Sequence, residues 1–582
     1  MEGTMLDTHE TLSDHSFDPA MEKRHRVDGT LALEPSELNA RILFFTLMTV
    51  LFCGLALWSY VWPPAAWGFI GGVMILGLGL YDIFQRRKTV LRLYPVIGHM
   101  RYLFEAIRPE IQQYFVESDT NGMPISREFR ALVYQRAKKA RDTRPFGTLF
   151  DVYRAGYEWM NHSVAPRPIT NHNPRVRFGG PRCTQPYDAS LLNISAMSYG
   201  ALSKNAILAL NKGAKIGQFA HNTGEGGISP YHKRYGGDLI WQIGTGYFGC
   251  RTETGDFDPD LFSIRAASEQ VKMIEVKLSQ GAKPGHGGIL PAVKLTPEIA
   301  KIRNVPMGKD VISPAGHSAF SSPEGLLQFI DQLRTLSGGK PVGFKLCVGN
   351  KSEFLAICKA MLKTGLTPDF ITIDGSEGGT GAAPIEMTNS VGTPLREGLL
   401  FVHNALTGIG LRQDVRLIAS GKSISAFHMI RLMALGADTI NSARAMMMAL
   451  GCIQARSCHN DKCPTGIATQ KASRFNALDV DLKSERVANY QTANIHNLLE
   501  IVAGAGLDSP SEIMPHHLCH RVGSHDTQTF AELYDYLPNG ALLTPSTLPE
   551  RWKKDWNRAS AESWTSIPNK PSEGNLHYAM GY

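Results

Sequence analysis

Residues 369–384 read "DFITIDGSEGGTGAAP". A short β-branched apolar run breaks off into glycines, and "PLREGLLFVHNALT" (394–407) then carries apolar residues at helical spacing. The same order of strand, loop and helix recurs on both sides. Upstream it appears as "LLNISAMS" with "KNAILALNKGAKIG", "GQFAHNTGEGG", "DLIWQIGTG" with "FSIRAASEQV", "KMIEVKLSQG" with a long Gly/Pro insertion, and "PVGFKLCVG" with "SEFLAICKAMLKTG". Downstream come "VRLIASGKS" with "SAFHMIRLMALG", then "ADTINSARA", which opens a last helix running to a cysteine cluster. Eight candidate strands, most with a following helix, predict an α/β fold of the (β/α)8 TIM-barrel kind. A doubly wound open sheet is the other architecture, but no G-x-G-x-x-G stands at a first strand–helix turn.

Two further apolar runs precede the barrel. "ILFFTLMTVLFCGLALWSYVW" (42–62) and "WGFIGGVMILGLGLYDIF" (67–84) are joined by a proline turn and followed by Arg86, Arg87 and Lys88. Each is close to the length a bilayer span requires, and Trp58, Tyr60, Trp62 and Trp67 cluster as an aromatic belt would. A transmembrane hairpin is expected, with a pair of buried core helices as the alternative. The basic stop places the remainder of the chain on the cytosolic side of a cytoplasmic membrane. The chain then divides into a polar, disordered tail (1–40), the hairpin (41–88, spans about 42–62 and 65–84), a helical lead-in (89–165), the barrel with its cysteine segment (166–475), and a helical and irregular extension (476–582).

The unusual residues fall where such barrels carry their chemistry, beyond the C-terminal strand ends. Glycine runs let backbone N–H groups approach a flat or anionic ligand. The seventh and eighth strands end in "ASGKS" (419–423) and "NSARA" (441–445), loops that commonly hold a phosphate, and Lys422 and Arg444 add positive charge there. A phosphate-bearing cofactor is expected, with FMN the natural candidate and its ring across the barrel mouth near Ser198 and Lys345. Candidate cofactor contacts are Met197, Ser198, Gln242, Lys283, Lys345, Asp374, Gly378, Gly379, Ser420, Gly421, Lys422, Ser442, Ala443 and Arg444. Beside these loops, "CIQARSCHNDKCPTG" puts Cys452, Cys458 and Cys463 within twelve residues. Thiolates at that density bind zinc, with His459 as a fourth ligand, or an iron–sulfur cluster; three cysteines suit a 3Fe-4S cluster.

Composition narrows the class. The 582 residues are 43% hydrophobic and 19% charged, with a net charge of +7 and no long basic block, so nucleic acid is not an expected partner. Nine cysteines without pairing regularity suit a reducing compartment.

The segments "SAMSYGALS", "NTGEGG", "GAKPGHGG", "DGSEGGTGAAP" and "CIQARSCHNDKCPTGIATQ" resemble the FMN-binding synthase domain of glutamate synthase, especially its shorter stand-alone members, over about residues 165–475. The resemblance implies a barrel with FMN and a 3Fe-4S cluster on Cys452, Cys458 and Cys463. It also implies reduction of 2-iminoglutarate, formed from 2-oxoglutarate and ammonia, to glutamate. Glu225, Lys277 and Lys283 would be the catalytic residues, the lysines on the 2-oxoglutarate carboxylates and FMN, and Glu225 near the ammonia. The implied partners are an electron donor, such as ferredoxin or a separate reductase subunit, and a glutaminase. The family's large enzymes open on a cysteine nucleophile; this chain opens Met-Glu and shows no NADPH-binding segment, so ammonia and electrons are expected from elsewhere. The family's "GEGGQLPG" reads "GHGGILPA" here, with His286 in place of an acid and Ile289 in place of an amide. Fewer polar contacts to a 2-oxo acid are expected at that loop. A related amino acid as product, a membrane electron-transfer oxidoreductase with another substrate, and a zinc-bound non-catalytic scaffold are the competing expectations.

Overall fold

The computed structural model describes residues 40–564, so the expected N-terminal tail lies outside the described residues. The chain forms two units, divided between Val116 and Glu117.

The larger unit is built on a closed barrel of eight parallel strands: β1 Leu192–Ile194, β2 His221–Asn222, β3 Leu239–Ile243, β4 Val271–Lys277, β5 Val342–Leu346, β6 Phe370–Asp374, β7 Arg416–Ser420 and β8 Thr439–Ser442. They pair in sequence order and β8 closes on β1. All eight strands expected from the sequence are present, and the open-sheet alternative is excluded by the closure. The strands are buried almost throughout because helices cover the outside and side chains fill the inside. Helix starts follow from local chemistry: the side chains of Ser203, Asp258, Ser322, Asn350 and Ser425 each accept a bond from a first-turn N–H, which no helical carbonyl can satisfy. Between β4 and the helix Pro323–Leu336, the Gly/Pro insertion folds into a ribbon, Ile289–Leu290 with Val311–Ile312, around the helix Pro297–Arg303.

The barrel register sets which side chains share a level. Gln242 pairs with Glu275, Lys277 with Lys345, and Asp374 with Ser420.

The extension adds the 25-residue helix Val480–Gly504, which lies against the helix Lys204–Gly217. A small antiparallel sheet joins Glu158–Met160 to Leu518–Arg521 and Thr527–Thr529.

The smaller unit holds the helices Ala40–Val61 and Gly68–Phe84, joined by the 3-10 turn Pro63–Trp67. They touch through small residues: a Cβ on Gly79 would overlap the Phe44 ring, and one on Gly72 would meet Phe52. Most of their apolar side chains are exposed, Leu57 at 75% and Met74 at 70% among them, which a pair of core helices would not show.

The helices Lys204–Gly217 and Val480–Gly504 meet at Gly213, where a Cβ would lie 2.8 Å from both the Ser484 carbonyl oxygen and Val487 Cβ. Gly213→Val should therefore push the helix Val480–Gly504 away from Lys204–Gly217 and cost about 1–3 kcal/mol, read as a lower midpoint of chemical unfolding; an unchanged midpoint would remove this contact from the account.

Candidate active site

At the C-terminal strand ends opens a cavity of about 390 Å³. Of the residues singled out above, Met197, Ser198, Glu225, Gln242, Lys277, Lys283, Lys345, Asp374, Gly378, Gly379, Ser420, Gly421, Lys422, Ala443, Arg444 and Cys458 all line it. Ser442 does not line it; its hydroxyl donates to the Ser423 carbonyl at 2.8 Å and braces the β7 loop from behind.

The floor is organised by Glu275, which the sequence did not single out. It is fully buried on β4. Its carboxylate accepts from Asn222 Nδ2 on β2 at 2.8 Å, from Gln242 Nε2 on β3 at 2.6 Å, and from Thr372 Oγ1 on β6 at 2.7 Å. Lys345 on β5 lies 3.4 Å from Asp374 Oδ2. Burial alone would discharge that lysine, but the Asp374 and Glu275 carboxylates hold its pKa above the usual range. Asp374 in turn accepts from Ser420 Oγ at 2.7 Å and from the Gly281 amide at 2.9 Å. Those two bonds tie β6 to β7 and to the start of the insertion.

One wall carries a knot of charge. Lys277 Nζ is 2.8 Å from Glu225 Oε1. Burial would raise the Glu225 pKa, yet Lys277, Arg303 and Lys283 hold it below the ordinary carboxylate value. Glu225 packs against bare backbone, since a Cβ on Gly244 or Gly288 would collide with its side chain. Lys283 is 1% exposed and has no ion pair among the described residues. Burial, with Lys277 beside it, lowers its pKa to about 8 against the pull of Glu225. Arg303, also unforeseen, reaches in from the insertion helix. It donates to Ser198 Oγ at 3.4 Å and to the Tyr199 carbonyl at 3.2 Å, and burial brings its pKa to about 10. Lys277, Lys283 and Arg303 thus surround a single carboxylate.

The opposite wall has a second basic pair. Lys422 and Arg444 have no salt bridge among the described residues, and the Lys422 pKa is lowered by burial and by Arg444 against the pull of the Glu377 carboxylate. Bare glycine backbone accompanies them: a Cβ on Gly379 would strike the Arg444 guanidinium.

Cys452, Cys458 and Cys463 lie in an irregular segment after the helix Arg444–Leu450. All three are free thiols close enough to affect one another's charge. Burial pushes the Cys452 thiol up to about 11 and raises Cys458, whereas the Thr465 hydroxyl and nearby backbone amides outweigh burial at Cys463 and lower it. Among the described residues no three His, Cys, Asp or Glu side chains are grouped as ligands of a single ion. Lys294 bridges this segment to the loop after β1, donating to the Ala201 carbonyl at 2.5 Å and reaching the Cys458 carbonyl at 3.4 Å. In the altered loop, Ile289 lines the cavity while His286 does not; its Nδ1 stays 3.1 Å from the Gly287 carbonyl. Nothing in the local sequence of Arg303 or Lys294 marked them, because both arrive through the fold of the insertion.

The family model for a conserved region in glutamate synthase matches residues 185–508. The glutamate synthase large subunit-like protein YerD of Bacillus subtilis is 37% identical over 501 residues, covering 78% of this chain and 95% of the relative. An archaeal-type NADPH glutamate synthase of Thermotoga neapolitana is 35% identical over 335 residues, covering 57% of this chain; the chain spans 62% of that relative's length. A mandelate oxidase crystal structure aligns with 74% of this chain and 96% of its own at 14% identity and a TM-score of 0.38, so the barrel rests on its own strand pairing.

Glu275→Ala removes one acceptor from three buried donors on three strands. The expected loss is about 3–5 kcal/mol of stability, seen as a lower unfolding midpoint, with Glu275→Gln closer to the parent protein. Equal midpoints for Glu275→Ala and the parent would show that the carboxylate does not organise the floor.

Proposed function

The chain belongs to the glutamate synthase family of oxidoreductases acting on CH–NH2 donors, and on that premise we propose that its barrel forms glutamate reductively from 2-oxoglutarate and ammonia. The observation that carries this reading is the charge on one wall. Lys277, Lys283 and Arg303 face Glu225 alone, an excess of two positive charges that a dicarboxylate neutralises. Lys283, unpaired among the described residues, and Arg303 are the groups left to take substrate carboxylates. Glu225 keeps its negative charge and stays bonded to Lys277, so it can accept hydrogen bonds from the N–H groups of ammonia. Strong binding also needs the imine shielded from water, and the insertion over the cavity supplies that cover through Ile289 and Leu290.

FMN and a 3Fe-4S cluster are the proposed cofactors. When bound, the flavin supplies a hydride and the cluster supplies single electrons to it. The cavity volume of about 390 Å³ suits a flavin-sized ligand. Lys422 and Arg444, two cations with no salt bridge among the described residues, beside bare glycine backbone, suit its phosphate. Lys345, kept protonated by Asp374 and Glu275, would place positive charge where a reduced ring is anionic. Cys452, Cys458 and Cys463, three free thiols close enough to affect one another's charge, would supply the three thiolates of the 3Fe-4S cluster. Electrons would come from ferredoxin or a separate reductase subunit, and ammonia from solution or a glutaminase partner.

The helices Ala40–Val61 and Pro63–Phe84 are proposed as a two-span anchor in the cytoplasmic membrane, with Arg86, Arg87 and Lys88 on the cytosolic side. Their length, apolar composition and exposed side chains support it. One observation favours a second reading, an oxidoreductase with a different substrate: Ile289 offers the cavity no hydrogen bond where the family has an amide.

The test is glutamate formation by the purified holoenzyme from 2-oxoglutarate and ammonia with a reduced dye. Glutamate is expected; a flavin that reduces normally while no glutamate forms would move the assignment to the second reading. Lys283→Met should raise KM for 2-oxoglutarate about ten- to a hundredfold with flavin retained, the cost of one charge-assisted bond. Because the Lys283 pKa is about 8 and the charged form binds the carboxylate, 2-oxoglutarate should bind fully below that pH and weaken as pH rises through it. Lys283→Arg should carry binding to higher pH; identical pH profiles would take Lys283 out of the substrate site.

Cys458→Ala should remove iron and leave flavin content near normal, as read by metal analysis and absorbance. Undiminished iron would reject the cluster assignment.

A further inference from the structure

Beyond the two apolar helices, the smaller unit contains the helix His99–Ile111, continued by the π-helical turn Gln112–Val116. None of its residues is buried. Met100, Leu103, Phe104, Ile107 and Ile111 recur at three- and four-residue steps, which puts them on one face, and every one is exposed. Phe115, on the same side, is 85% exposed. On the other faces Arg101 is bonded to Glu105 at 3.1 Å, and Tyr102 packs under Lys88, whose Nζ is 3.9 Å from the ring centre. Arg101 and Arg108 border the apolar face on one edge, where long side chains keep their charge in water while their stems lie on an apolar surface. With Arg101, Glu105, Arg108 and Glu110 in thirteen residues, the helix cannot be a third span.

The start of this helix is pinned to a known level. Asp82, fully buried in the last turn of Gly68–Phe84, accepts from the Val96 amide at 2.9 Å and bonds His99 Nε2 at 2.9 Å. Arg92 closes the intervening turn by bonding the Ile83 carbonyl at 3.4 Å. His99 therefore sits beside the end of the second apolar helix, next to Arg86, Arg87 and Lys88.

We propose that His99–Val116 is an interfacial helix that lies in the plane of the membrane, with its apolar face among the acyl chains and Arg101 and Arg108 on anionic lipid headgroups. The inference rests on the reading of the two apolar helices as membrane spans and extends it. The Asp82–His99 bond holds the start of this helix at the end of the second apolar helix. The arginine edge beside the basic stop matches the charge of an anionic bilayer surface. No protein occupant is needed: lipid alone satisfies both the stripe and its charged border.

The experiment uses the full-length chain in nanodiscs of phosphatidylglycerol and phosphatidylcholine. A photoreactive benzoylphenylalanine replaces Leu51, Tyr102, Phe104 or Ile107 in turn, and adducts are identified by mass spectrometry. Lipid adducts are expected at Leu51, Phe104 and Ile107 but not at Tyr102. Neutralising Arg101 and Arg108 together, as R101Q and R108Q, should cut the phosphatidylglycerol adduct at Phe104 on the order of fivefold for each arginine. Lipid adducts at Leu51 with protein adducts or none at Phe104 would overturn the interfacial helix and leave the spans standing. No lipid adduct at Leu51 would overturn the spans, and the interfacial helix with them. Equal lipid adducts at Tyr102 and Phe104 would mean the helix has no membrane-facing side, which also rejects the proposal.

Discussion

The active end of this barrel depends on a single buried carboxylate. Glu275 leaves water entirely, a cost that only strong local compensation can meet. The compensation comes from Asn222, Gln242 and Thr372 on three other strands and from the nearby charge of Lys345 on a fourth. One group thus links β2, β3, β4, β5 and β6 at one level. Barrel closure brings it about, since parallel pairing in register sets Gln242 opposite Glu275 and Lys277 opposite Lys345. Gln242, which lines the cavity, is thereby held by its amide nitrogen and cannot turn.

Above that floor the charges are deliberately unbalanced. In the floor the charged groups are satisfied, Lys345 by its pair with Asp374 and Glu275 by three neutral hydrogen-bond donors. The two walls are richer in cations: Lys277, Lys283 and Arg303 outnumber Glu225 on one side, and Lys422 and Arg444 outnumber Glu377 on the other. Burying these cations costs stability, and the shifts show it: burial brings Lys283 to about 8, with Lys277 adding to it, and Arg303 to about 10. Anion binding offsets that cost, which is the physical ground of the proposal that a dicarboxylate and a phosphate bind here.

The insertion after β4 does the most to make this barrel particular. It supplies Lys283 from its first loop, Ile289 and Leu290 from its ribbon, Lys294 from the turn that follows, and Arg303 from its helix. Lys294 joins the cysteine segment to the loop after β1, so the proposed cluster and flavin sites share one rigid contact. Ile289 lines the cavity, whereas His286 does not and keeps its Nδ1 at 3.1 Å from the Gly287 carbonyl.

The order of strands, glycine loops and helices was legible in the sequence because each depends on neighbours a few residues away: apolar runs of fixed length, serine and aspartate at helix starts, glycines where backbone must bend. The same holds for the two apolar helices and for the spacing of Cys452, Cys458 and Cys463. Most of the site residues at strand ends could be found for the same reason, since barrel topology sends every strand end to one face. What the sequence could not show is direction and distance. Ser442 sits at a strand end yet braces a loop, and Glu275 looks like one charge in an apolar strand yet anchors the floor. Arg303 and Lys294 lie far along an irregular insertion yet reach Ser198 and Cys458. Those roles rest on contacts between segments as many as 164 residues apart, and only the closed barrel with its insertion folded over the mouth brings such segments within hydrogen-bonding reach.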